Sequence, residues 1–139
     1  MTLKSALFKE ALLDHFKQPR NHRDIPFDDH YIVARGTNPR CGDDVEIGIR
    51  LTENRVELAE FRGRGCSVCI ASTSMLTESI SGNTWQEVET LISSVDAWFE
   101  KGGELPATLE PLEAVKSVPG RKKCAVLSWN ALKEIAEKV

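Results

Sequence analysis

The stretch that most limits how this chain can fold is 44–51, where Val45, Ile47, Ile49 and Leu51 alternate with Asp44, Glu46, Gly48 and Arg50. A period of two sends successive side chains to opposite faces, so the run reads as a strand with one dry face and one wet one. Upstream, Tyr31-Ile32-Val33-Ala34-Arg35 is a shorter strand candidate closed by Gly36. Downstream, Thr52-Glu53-Asn54 reads as a hairpin turn, after which Val56 and Leu58 resume the alternation. Phe61 falls on the opposite phase, which predicts a bulge near Ala59. Together these segments predict a three-stranded antiparallel meander.

Helical periodicity surrounds the meander. Leu3, Leu7, Phe8, Ala11, Leu12 and Phe16 recur at the helical spacing, predicting an amphipathic helix over 3–17 that Pro19 ends. A loop follows to about Asp29. The Gly-rich bend Arg62-Gly63-Arg64-Gly65 breaks the third strand and permits unusual backbone angles before Cys66. Residues 67–81 then read as a helix rich in small side chains, stopped by Gly82-Asn83. Thr84-Trp85-Gln86-Glu87 matches a capping box and opens a helix with Val88, Leu91, Ile92, Val95, Trp98 and Phe99 on one face. Three prolines in 104–120 leave room for a short helix at most. The last helix is expected from Cys124 to about Lys138, with Leu127, Ala131, Leu132, Ile135 and Ala136 inward. Strands followed by helices predict an α+β domain with its helices on one face of a small sheet. With no repeat or linker in sight, 1–139 reads as a single domain.

A chain of 139 residues can build a core without staples. Its formal net charge of -3 gives no reason to expect nucleic acid or an anionic membrane as partner. No apolar run approaches the roughly 18 residues of a membrane span, and Met1-Thr2-Leu3-Lys4-Ser5 does not open like a signal peptide. The expected compartment is a reducing cytoplasm, where cysteines serve as metal ligands, reactive thiols or core residues rather than disulfides. His15, His22 and His30 show no metal spacing and read as capping or surface residues.

Cys41, Cys66 and Cys124 each fall at a turn or a predicted helix start. Unpaired N–H groups there favour a thiolate, and neighbouring thiolates need a cation between them. Three such thiolates plus the Asp43 carboxylate would fill a tetrahedron of the kind zinc takes. Spacing alone leaves open that all four cysteines are packing residues. Cys66-Ser67-Val68-Cys69 has the spacing of a redox pair but lacks a βαβ setting, so Cys69 is a packing residue, a redox partner of Cys66 or a further ligand.

Four blocks, in order, carry a resemblance: Asp14-His15-Phe16-Lys17-Gln18-Pro19-Arg20-Asn21; Asn38-Pro39-Arg40-Cys41-Gly42-Asp43; Gly63-Arg64-Gly65-Cys66 with Ile70-Ala71-Ser72-Thr73-Ser74-Met75; and Cys124-Ala125-Val126-Leu127-Ser128-Trp129. They resemble the iron–sulfur cluster assembly scaffold family of IscU, SufU and the NifU N-terminal domain, and imply a SufE/NifU-like fold. Lys123, where IscU-type members carry His, together with Arg121 and the added residues between Cys66 and Cys124, looks like the SufU branch. The resemblance implies zinc held by Cys41, Asp43, Cys66 and Cys124. It further implies Cys41 as the acceptor of persulfide sulfur from a pyridoxal-phosphate cysteine desulfurase of SufS or IscS type. That would be a sulfur relay serving cluster-assembly proteins and apo-proteins, and Arg121, Lys122 and Lys123 would flank it with positive charge. The alternative it implies is a scaffold that holds a transient [2Fe–2S] cluster on Cys41, Cys66 and Cys124. Cys69 stands where the family has a small or apolar residue, so a fourth thiolate could compete with Asp43.

Overall fold

The computed structural model describes residues 2–139. Helix α1 (Leu3–Lys17) precedes three strands, β1 (Ile32–Asn38), β2 (Asp43–Thr52) and β3 (Arg55–Arg64), which are followed by α2 (Ser67–Ile80), α3 (Trp85–Lys101), a 3₁₀ segment (Ala107–Val115) and α4 (Pro119–Lys138). The sheet is an antiparallel meander in the order β1-β2-β3, and the architecture is α+β as the periodicities predict. Val45, Ile47 and Ile49 are fully buried on the inner face, beneath α2 and α4.

Several details differ from the sequence reading. β1 runs through Gly36 to Asn38, because that glycine keeps the strand going where α4 crosses it: a Cβ there would lie 3.1 Å from the Leu127 side chain. The β2–β3 turn is the two-residue Glu53-Asn54, both with positive φ, the form whose twist suits a hairpin. The bulge sits at Glu57 rather than near Ala59, since Arg50 faces Leu58 while Leu51 faces Val56. One extra residue there reverses the phase, so Val56, Ala59 and Phe61 are buried and Leu58 turns outward. β3 also continues through Gly63 to Arg64.

Two segments seal the outer edge of β3. The Arg23 N–H donates to the Phe61 carbonyl at 2.9 Å and the Phe61 N–H to that of Asn21 at 3.0 Å; Val56 exchanges a pair of bonds with Gly82 and Asn83. An edge paired in this way offers no template to another chain. The loop after α1 also covers part of the wet face. Phe27 packs on Gly48, where a Cβ would meet its ring at 2.5 Å, and Arg23 lies over Phe27 and Tyr31 while pairing with Glu60.

α2 is the buried centre of the helical layer, and its small polar residues tie neighbouring helices to it. Ser72 donates to the Ala125 carbonyl in α4. Ser74 Oγ accepts the Arg20 N–H at 2.8 Å and lies 2.8 Å from His15 Nδ1. His15 thus joins α1 to α2 through Ser74 and is not the surface or capping residue expected. Burial, followed by the charge of Arg20, holds the His15 pKa below its ordinary value against the opposing pull of Glu78 and Asp14. The unfolded chain then binds more protons at this ring than the folded one, so stability falls as pH drops below about 6.5. Urea unfolding of metal-free protein between pH 7.5 and 5.5 is expected to show this loss, and His15→Gln to flatten it. An identical pH dependence in the variant would sink the assignment.

α1 buries only Leu12, while Leu3 and Leu7 are exposed. Leu3 lies about 180° around the helix from Leu12, so the apolar spacing joined two faces into one stripe. α3 carries both bonds of its Thr84–Glu87 capping box and ends on Gly102 at φ 70°. α4 starts at Pro119, five positions before the expected Cys124. Proline's fixed φ and missing N–H suit a first helical turn, and Pro119-Gly120 is the start of α4 rather than a turn before it.

Candidate metal centre

The β1–β2 connection brings the first donors together. Asn38 and Asp43 pair across its base, with Pro39-Arg40-Cys41-Gly42 between them. Asp43 shares the inward phase of Val45 and Ile47, so its carboxyl ends an apolar row and is only 2% exposed. Cys41 lies on the exposed turn, where its N–H reaches the Asn38 carbonyl and Asn38 Nδ2 stands 3.7 Å from its sulfur. Gly42 supplies the left-handed angle, φ 71°, with nothing near the place a Cβ would occupy.

Helix starts bring the other donors. Cys66 is the N-cap of α2, as its sequence position suggests, and its sulfur faces the Cys69 N–H at 3.5 Å. The Cys66 N–H donates to Asp43 Oδ1 at 2.8 Å, and its sulfur lies 3.9 Å from Oδ2. One carboxylate oxygen is thereby tied down and the other faces the thiols. Cys124 sits in the second turn of α4, not at its start, and its buried sulfur is 3.6 Å from that of Cys41. Donor atoms of Cys41, Asp43 and Cys124 all lie within 4.8 Å of one another. Cys66 borders the same hollow, with Val118, Gly120 and Arg121.

Burial pushes the Cys124 thiol well above its ordinary range, and hydrogen bonding with Cys66, Cys41 and Asp43 adds to the shift. Acidic groups packed this closely cannot all ionise without a compensating cation. A tetrahedral ion with bonds of about 2.3 Å to sulfur spaces its thiolates about 3.8 Å apart, close to the 3.6 Å between the Cys41 and Cys124 sulfurs, so this pair with Asp43 fits zinc, and Cys66 borders the trio. Thiolate donors suit iron as well.

Cys69 stays outside this group. It is fully buried, and its thiol is pushed up to about 12, chiefly by burial and then by Asp43 and Cys66. It lies beneath the site as a buried thiol. The basic triplet also divides. Arg121 borders the hollow, but Lys122 points the other way, its Nζ 4.9 Å from the Trp98 ring centroid and 5.7 Å from that of Phe99. Successive helix positions turn by about 100°, so the triplet cannot present one face.

Gly65 supports the site without supplying a donor, a role that its residue type does not announce in the sequence. A Cβ there would lie 2.9 Å from Asp43 Oδ1 and 3.2 Å from Cys69 Sγ, so the bare backbone is what lets the acid seat against the Cys66 N–H. The bend marks both glycines, but only Gly63 needs the unusual angle, φ 119°. Gly65→Ala is expected to weaken zinc binding about 10- to 100-fold by displacing a supporting contact. Competition against a chromophoric chelator would read this, and unchanged affinity would show that the acid does not need that seat.

Comparison with known proteins gives a consistent match. Residues 7–138 match the NifU-like N-terminal domain family. The zinc-dependent sulfurtransferase SufU of Bacillus subtilis is 36% identical over 135 residues, covering 92% of this chain and 88% of the relative. The iron–sulfur cluster assembly scaffold protein IscU of Streptococcus pyogenes is 34% identical over 133 residues, covering 92% and 81%. Among solved structures, a protein assigned to the SUF system of Fervidobacterium islandicum as a cluster assembly scaffold superposes with a TM-score of 0.75 at 27% identity, covering 90% of this chain and 93% of that one.

Proposed function

Because this chain belongs to the NifU-like N-terminal domain family, a family of iron–sulfur cluster assembly scaffolds, we propose that it is a zinc-binding sulfur acceptor of SufU type. The observation that carries this reading is the unequal placement of the thiols. Cys41 alone is exposed and rides on a turn, whereas Cys66 and Cys124 belong to helices. Cys41, Asp43, Cys66 and Cys124 would hold the metal, which keeps bound thiols deprotonated at neutral pH. A thiolate at Cys41 attacks the outer sulfur of a persulfide on a cysteine desulfurase of the pyridoxal-phosphate class. One S–S bond forms as another breaks, and the donor leaves as a thiolate with no net redox change. Arg121 at the rim supports the anionic sulfur, and cluster-assembly proteins or apo-proteins are the receivers. In this reading residues 1–139 act as one cytoplasmic domain. No helix among the described residues is long and apolar enough to cross a membrane.

A second reading, a scaffold for a [2Fe–2S] cluster on Cys41, Cys66 and Cys124, draws on the open hollow between these thiols and on the kinship with IscU. Metal analysis of protein purified without added metal separates the two. About one zinc per chain, as one four-donor site requires, supports the relay, and iron with sulfide supports the scaffold. Cys41→Ala should abolish stimulation of the desulfurase; full stimulation by that variant would end the acceptor reading.

A further inference from the structure

The site holds a second thiol whose part in the acceptor step is only to hold the metal. Cys124 Sγ stands 3.6 Å from Cys41 Sγ, in van der Waals contact, on the buried side of the Cys41 turn. We propose that Cys124 releases the sulfur carried by Cys41 as hydrosulfide, by attacking the Cys41 sulfur of the persulfide and forming a Cys41–Cys124 disulfide. This rests on the acceptor reading, because it concerns the fate of the sulfur once Cys41 holds it.

Geometry selects which sulfur is attacked. Incoming sulfur reaches Cys41 from the exposed side of the turn, so the outer atom of the persulfide lies away from the helix. Cys124 lies on the buried side of that turn, so its attack on the inner sulfur would expel the outer atom toward solvent. Contact in the resting fold makes the attack intramolecular, with no encounter step. Closing the gap to a bond of about 2.0 Å requires the Cys41 turn to shift. Gly42, with its left-handed angle and free surroundings, can absorb that movement.

The step balances. The Cys124 thiol and the Cys41 persulfide anion give the disulfide and hydrosulfide; the S–S bond within the persulfide breaks, the Cys41–Cys124 bond forms, and the Cys124 proton passes to the departing sulfur. The carried sulfur gains two electrons, supplied by the two cysteine sulfurs, and leaves with the Cys124 proton. A dithiol reductant then reopens the disulfide by two-electron exchange and readies Cys41 for another sulfur. The reaction that consumes the product is therefore one that takes sulfide, such as assembly of an iron–sulfur core.

The test bypasses the desulfurase. The full chain is loaded with inorganic tetrasulfide, desalted, and held without reductant while free sulfide is measured and peptides are mapped by mass spectrometry. Expected are sulfide release and an equal amount of the Cys41–Cys124 cross-linked peptide. Cys124→Ser should keep its persulfide on Cys41 and release sulfide at least about ten-fold more slowly. Release from that variant at the wild-type rate, wild-type release without the cross-link, or persulfide moved onto Cys124 would each overturn the proposal. The cross-link is read in unsubstituted protein, so a misfolded variant does not rescue the idea. Loading from a desulfurase in parallel separates the two readings: a chain that takes no sulfur there, yet cross-links after tetrasulfide, refutes acceptance and leaves the release chemistry standing.

Discussion

Asp43→Ala is expected to lower zinc affinity by more than about 100-fold, beyond the usual cost of losing a contact that merely supports a ligand. The carboxylate does two things at once. Oδ1 accepts the Cys66 N–H at 2.8 Å, and Oδ2 faces the Cys66 sulfur at 3.9 Å. Alanine removes a donor atom and the tie that holds the start of α2 against the start of β2. Asp43→Asn keeps an acceptor for the amide but gives up the charge, so it should fall between alanine and wild type. Chelator competition measures the affinities. Thermal melts with and without zinc supply an independent reading, since a metal bound only by the folded chain raises its melting temperature. Wild-type affinity in the alanine variant would remove Asp43 from the ligand set and return Cys69 to consideration.

Gly63→Ala should cost at least about 3 kcal/mol, from a disfavoured backbone angle and from steric overlap. Its φ is 119°, and a Cβ would lie 2.1 Å from the Asp44 carbonyl oxygen, which cannot move without shifting β2. A domain with about 5–15 kcal/mol of net stability would lose a large part of it. The damage falls beside Asp43, so metal binding should weaken along with the urea midpoint. Gly82→Ala is the control. It has φ 82° but open space around it, so it should cost only the backbone term of about 1–2 kcal/mol. Equal losses at the two positions would show that the overlap at Gly63 is relieved by local adjustment.

What could be read in the sequence was whatever depends on local period and on motif order. The alternation over 44–51 located the central strand, the Thr84–Glu87 box located a helix start, and the four ordered blocks, three of them bearing cysteine, identified the family. What escaped depends on partners distant in the chain. The phase reversal itself shows in Phe61, but its place at Glu57 follows from register against Leu51 and Arg50, so Leu58 looks inward until the pairing is known. His15 lacks a metal spacing, yet its partner is Ser74, 59 residues away. Lys122 belongs to a basic triplet by sequence and to the Trp98 and Phe99 rings by structure. Gly65 is needed for its missing Cβ, and crowding by Asp43 and Cys69 leaves no trace in a neighbouring residue type.

The N-cap position of Cys66 places one end of the candidate centre on the most deeply buried helix of the molecule. Its sulfur faces the Cys69 amide, and its carbonyl accepts the Ile70 amide at 3.0 Å. Occupancy of the centre is therefore tied to fraying of that first turn, and fraying is what admits solvent deuterium to a backbone amide. Protection at Cys69 and Ile70 should rise and fall with occupancy while the far end of α2, held by Thr77 and the Arg20–Asn21 segment, keeps a constant exchange rate. The helix thus gives a residue-resolved record of how long the centre stays filled.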